Sequence, residues 1–111
     1  MKIDEVKLDE LLLDLGHDDF NAGTALLREA VKAYRPGIQL TKELYPAVAR
    51  KYGSTAARVE RNIRHSMEKA WQRGSVKVQF DVFRWSYSPE QGRPTAGEYI
   101  ARLARVCSHE D

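Results

Sequence analysis

Three arginines at three-residue steps, Arg58, Arg61 and Arg64, are followed at once by His65 and interleaved with Glu60 and Glu68. Guanidinium groups repeated on one face suit a polyanion. Each fork matches a phosphate or the O6/N7 edge of guanine, and a glutamate can accept from the amino group of cytosine. Residues 50–73 hold seven Lys/Arg against Glu60 and Glu68, a net of +5, whereas residues 1–20 hold two lysines against seven acids, a net of −5. A formal charge of only +2 therefore averages an acidic end and a basic middle. Local basic density of this kind is the electrostatic footprint of a polyanion partner. The same residues would serve a solvated face laced by i,i+4 ion pairs, Glu60 with Arg64 and Arg64 with Glu68.

Two other groupings carry chemistry on paper. His17, Asp18 and Asp19 are the one cluster of proton-transfer groups, but they fall in a short connector with no nucleophile or metal set beside them, so they read as a polar loop and not as an enzyme. Cys107 is the single cysteine and has His109 two residues on. Zinc takes about four ligands, so the pair reads as an incidental tail thiol. No metal and no cofactor are expected, and one cysteine excludes an internal disulfide. The acidic N-terminus is unlike a secretory signal, and no run approaches the roughly 20 apolar residues of a membrane span. A cytoplasmic, nucleoid-associated protein is the expectation.

The elements that must position these residues are helical. With 111 residues, of which 31% are charged, the chain suits one domain with one core. Leu8, Leu11, Leu12 and Leu15 line one face of a helix over residues 3–15, and Gly16 stops it. Leu26, Leu27, Ala30, Val31 and Tyr34 do the same over residues 22–34, ended by Arg35-Pro36-Gly37. A third helical region covers residues 40–52, with Thr41 as its cap and Leu44, Val48, Ala49 and Tyr52 facing inward. Pro46 either sits in the first turn of a helix starting near Tyr45 or kinks a longer one. After Gly53, Ser54 or Thr55 caps a helix running to Arg73, with Gly74 as its C-terminal glycine. Residues 76–87 alternate as a strand does, yet also fit helical spacing; with no second strand to pair, a short helix and loop is preferred. Thr95 and Glu98 form a capping box opening a last helix striped by Tyr99, Ile100, Leu103 and Val106. The sum is an all-α, six-helix single domain over residues 1–111.

A short helix, a glycine turn and a longer basic helix match a DNA-reading helix–turn–helix, in which the second helix enters the major groove. Projected at ~100° per residue, Ala56, Val59, Ile63, Met67, Ala70 and Trp71 gather on one side of the fourth helix. Ala57, Arg61, Arg64 and Glu68 gather opposite, with Glu60 on one flank and Arg58 and His65 on the other. Arg61 and Arg64 are therefore candidates for base contacts, with Glu60 as a discriminator. Ser54 and Thr55 suit a phosphate at the helix start.

The stretches "GTALLREAV", "LTKELYPAVARKYGSTAARVERNIRHSMEKAWQRG" and "GRPTAGEYIARLA" resemble the C-terminal effector domain of the sporulation master response regulator, the stage 0 sporulation protein A family. The resemblance runs from about Leu15 to Val106. It implies a sequence-specific transcription regulator that binds short promoter boxes of double-stranded DNA, often as tandem dimers. It also implies base contacts from Glu60, Arg61 and Arg64, with Arg58 and His65 at the DNA backbone. Residues 74–87 would correspond to the segment meeting the sigma subunit of RNA polymerase, and the last helix to part of a homodimer contact. The chain departs from the family pattern in three respects. No phosphorylatable receiver domain precedes it, so the expectation is a standalone relative or an excised domain. Thr24-Ala25 stand where an aromatic is expected. Phe83 is followed by Arg84, where the family has Phe-Gly. A protein-interaction module that keeps the fold and antagonises a full-length regulator is the alternative.

Overall fold

The computed structural model describes residues 2–18, 21–84, 87 and 89–109. Asp4 opens the first helix, α1 (Glu5–Asp14), by accepting from the Lys7 N–H, which satisfies one of the donors a helix start leaves unpaired. The helix closes where the Gly16 N–H reaches the Leu13 carbonyl at 3.0 Å and the His17 N–H the Leu12 carbonyl at 2.9 Å. Asn21 caps α2 (Ala22–Ala33) through the Gly23 N–H at 2.7 Å, and the chain turns extended at Tyr34, ahead of the Arg35-Pro36 step.

The third region resolves the two roles open to Pro46. Residues Leu40–Leu44 form a π-helical turn that runs directly into α3 (Tyr45–Tyr52). The Leu44 N–H reaches five residues back to Gln39 at 3.0 Å, and the Tyr45 N–H to Leu40. Pro46, next in line, has no N–H to continue the ladder and sits in the first turn of α3, where none is needed. Thr41 does not cap this start. The Glu43 carboxylate does, accepting from the Gln39 N–H at 2.9 Å. Tyr52, expected inside, is 45% exposed, because it ends α3 where the chain turns away.

Three further helices complete the set: α4 (Ala56–Arg73), α5 (Val76–Phe83) and α6 (Ala96–Val106), with a 3₁₀ turn at Pro89–Gln91. Among the described residues the architecture is all-α with six α-helices, as expected. The ambiguous alternating segment is helical: Ser75 caps α5 and Gln79 Nε2 donates to the Trp71 carbonyl at 2.8 Å. Its alternating apolar positions do not share a face, since Val82 is buried and Val76 is 78% exposed. The helix ends at Arg84, which holds a φ of 45°, a region costly for any side chain. Trp85, Ser86 and Ser88 of the following stretch lie outside the described residues. The capping box of α6 forms as expected, with Glu98 N–H to Thr95 Oγ1 at 3.2 Å and Thr95 N–H to Glu98 Oε1 at 2.7 Å.

Helices α2 and α4 are the central pair, and each also contacts α3 and α6. Their closeness depends on Gly23: a Cβ there would lie 2.4 Å from the Asn62 carbonyl oxygen and 2.9 Å from the Ser66 Cβ. Gly74, expected as the C-terminal glycine, does follow α4, in an extended conformation at φ −76°. It is required there by crowding, because a Cβ would meet the Leu15 carbonyl oxygen at 2.4 Å. The chain ends pair with each other. Ile3 bridges Ser108, the Asp4 N–H reaches the Cys107 carbonyl at 2.7 Å, and the His109 N–H reaches the Lys2 carbonyl at 2.7 Å. This contact folds the end of α6 inward, so Cys107 is a buried core residue and not a loose tail thiol. Burial pushes its thiol pKa up.

Candidate nucleic-acid interface

Gly53 makes the turn between α3 and α4. It holds a φ of 61°, a conformation open to glycine at no steric cost, and the next N–H, from Ser54, returns to the Ala49 carbonyl at 2.9 Å. Thr55 then caps α4, its hydroxyl accepting from the Arg58 N–H at 3.2 Å. Three residues thus separate two helices that pack directly on each other.

The inner stripe of α4 fixes its rotation. Val59 and Ile63 are fully buried, and Met67 and Ala70 nearly so; each large apolar side chain contributes about 1.5–3 kcal/mol by leaving water. Ala56 and Trp71 are half-buried and pack on this core. That stripe matches the helical projection and turns the opposite face outward. Arg58, Arg61, Arg64 and His65 are exposed, as is Thr55, while Ser54 and Glu60 are half-buried. The structure therefore brings all seven sequence-selected residues to the outer face or the N-terminal end of one helix.

The ion pairs on this face differ from the expected ladder. Arg64 Nη1 donates to Glu60 Oε1 at 2.6 Å. The Arg64–Glu68 pair does not form, because Glu68 is taken by Arg93 at 3.0 Å, from the segment before α6. Among the described residues, Arg58, Arg61 and Lys69 have no carboxylate within ion-pair distance. On α2, by contrast, both cations are neutralised. Arg28 is held by Glu5 at 2.9 Å and Asp9 at 2.6 Å. Glu29 of α2 receives Lys51 of α3 and, at 3.3 Å, Lys32. Burial opposes the Glu29 charge, but the two lysines outweigh it and hold its pKa below the usual value. That pair ties α3 to α2 beside the turn.

Beneath α4 lies a polar network that sequence reasoning missed. His17 is 4% exposed. Its Nδ1 lies 2.9 Å from Ser66 Oγ and its Nε2 2.7 Å from Tyr99 Oη, and Ser66 Oγ lies 3.3 Å from Thr24 Oγ1. Hydroxyls at both ring nitrogens suit a neutral imidazole. Burial, and secondarily the Arg73 charge, lowers the His17 pKa to about 4. The residue is thus a strut joining the α1–α2 connection to α4 and α6, not part of a polar loop. Asp19, grouped with it from sequence, and the adjacent Phe20 lie outside the described residues. The signal that could have exposed the network is Ser66, a polar residue on the same stripe as Val59, Ile63 and Ala70, which requires a buried partner.

Among the described residues no three His, Cys, Asp or Glu side chains gather to hold a metal, and no helix is long and apolar enough to cross a membrane. What the arrangement can do is present arginines and a glutamate, backed by a rigid apolar stripe, to a partner lying along α4. Residues 8–107 match the family described as sporulation initiation factor Spo0A C terminal.

Proposed function

Because the chain belongs to the sporulation initiation factor Spo0A C-terminal family, a family of DNA-binding domains of transcription regulators, we propose that it reads double-stranded DNA sequence-specifically with α4 in the major groove. In this reading α3, the Gly53–Thr55 turn and α4 act as a helix–turn–helix. Arg61 and Arg64 contact bases, and Glu60 discriminates among them. Ser54, Thr55, Arg58 and His65 contact phosphates. Thr55 accepts from the Arg58 N–H and keeps its own O–H to donate to a phosphate oxygen.

The observation that carries the reading is the unneutralised charge on one face. Arg61, opposite the buried Val59–Ile63 stripe, and Arg58, on its flank, stand exposed without carboxylate partners among the described residues. On α2, by contrast, both cations, Arg28 and Lys32, are matched by carboxylates. Two protein partners complete the proposal: a second copy on tandem boxes through α6, and the sigma subunit of RNA polymerase at residues 74–87. The exposure of Val76 on α5 favours the latter.

The test is a fluorescence anisotropy titration at two salt concentrations. The probes are a duplex selected on this chain from a random-sequence pool and a shuffled duplex of the same composition. Tighter binding of the selected duplex at both salts supports sequence reading. Equal binding leaves only phosphate contacts, and no binding at low salt favours an interaction module.

A further inference from the structure

Among the described residues, Tyr45 Oη is the one buried side-chain N/O atom without a hydrogen-bond partner. Tyr45 is the first residue of α3 and is 3% exposed. Buried hydroxyls are otherwise nearly always paired, and an orphan calls for an explanation. Two charged groups act on it, and both belong to the outer face of α4. Burial raises the Tyr45 pKa most, Glu60 raises it further and Arg64 opposes, with the result at about 12. The hydroxyl therefore stays protonated, a donor lying in the field of the Glu60–Arg64 pair.

In the free protein the Glu60 carboxylate is already occupied by Arg64, at 2.6 Å. Only Arg64 Nη1 holds Glu60, and a guanine that takes the Nη1/Nη2 edge of the fork detaches it. The carboxylate is then left half-buried beside a DNA backbone of like charge, an unfavourable place for an unpaired anion.

We propose that Tyr45 is a positioning residue for Glu60, its hydroxyl donating to the carboxylate when Arg64 leaves for a base. The inference rests on the DNA-reading function proposed above. The exchange satisfies the orphaned hydroxyl and neutralises no charge, so Glu60 keeps its second oxygen for a cytosine amino group. Arg64 is released and Glu60 is held in one step. The α3–α4 contact thus becomes part of base discrimination as well as of packing.

Tyr45→Phe removes only the oxygen and tests this directly. The urea midpoint of the variant is expected to equal or exceed that of the parent chain. Affinity for the selected duplex is expected to fall roughly tenfold, the scale of a hydrogen bond to a charged group, with no change on the shuffled duplex. In a Glu60→Ala background the same substitution is expected to have no further effect. Undiminished binding of Tyr45→Phe to the selected duplex overturns the proposal. So does a loss that persists without Glu60, or a clear drop in urea midpoint, which would mean that the hydroxyl is already partnered in the free protein. If the parent chain itself fails to prefer the selected duplex, the DNA-reading function falls, and this proposal with it.

Discussion

Arg64 donates to Glu60 across one turn of α4 at 2.6 Å, while Arg61, three residues before Arg64, has no carboxylate within reach among the described residues. Two arginines of the same face thus begin from different states. One already holds a carboxylate when it meets DNA, and the other holds none.

That difference sets the expected pattern of substitutions. Arg61→Ala should cost ~1–3 kcal/mol on the selected duplex and much less on the shuffled one. Arg64→Ala should cost less than Arg61→Ala, because breaking the Glu60 pair offsets part of its gain. Arg58→Ala should weaken both duplexes alike and lower the salt slope by about 1. Anisotropy titrations over a salt series measure all three; equal losses from Arg61→Ala on both duplexes would remove its base-reading role.

Gly23→Ala should separate α2 from α4. The added Cβ would stand 2.4 Å from the Asn62 carbonyl oxygen, a backbone atom that cannot rotate away. Overpacking of this kind costs about 1–3 kcal/mol. Urea denaturation reads the loss, and an unchanged midpoint would show that the central pair is looser than described.

Arg84→Gly should stabilise the chain by about 1–2 kcal/mol, since glycine adopts a positive φ without the steric cost that a side chain imposes. Arg84 occupies that region at φ 45°. The substitution also removes its 3.3 Å hydrogen bond to the Asp81 carbonyl, so a gain near zero would mean that this contact balances the strain.

The buried His17 makes stability fall on acidification. Its pKa is lowered from 6.5 to about 4 in the folded chain, so the unfolded chain takes up the proton first. The neutral form's contribution is complete above pH 6.5 and is lost progressively as pH falls toward 4. The loss amounts to about 3 kcal/mol across the window. Urea midpoints between pH 7.5 and pH 5 should fall for the parent chain and stay flatter for His17→Gln, which cannot protonate.

What local spacing reports, the sequence made readable. The inner stripes of α2, α4 and α6, the Thr95–Glu98 box and the outward face of α4 all follow from residues within a few turns of each other. The unreadable features depend on distant partners. Glu68 pairs with Arg93, 25 residues away, and His17 with Tyr99, 82 away. Cys107 is buried because the two chain ends meet. Tyr52 belongs to the α3 stripe by spacing, but it lies where the helix runs out and no element covers it. The π-helical turn before Pro46 was legible only as an interruption, because a missing N–H says where a ladder breaks and not how the chain repairs it.

The bridge between Ile3 and Ser108 nearly closes residues 2–109 into a ring. Its ends are held at one point by the Lys2–His109 and Asp4–Cys107 hydrogen bonds. A linker of a few residues could therefore splice Lys2 to His109 without moving α1 or α6, and the ring so formed could be cut elsewhere. Gly37 is the natural place, since nothing lies within 4 Å of where its side chain would point. A ring opened there would keep the order of α3, turn and α4 intact while relocating both ends to the connection after α2.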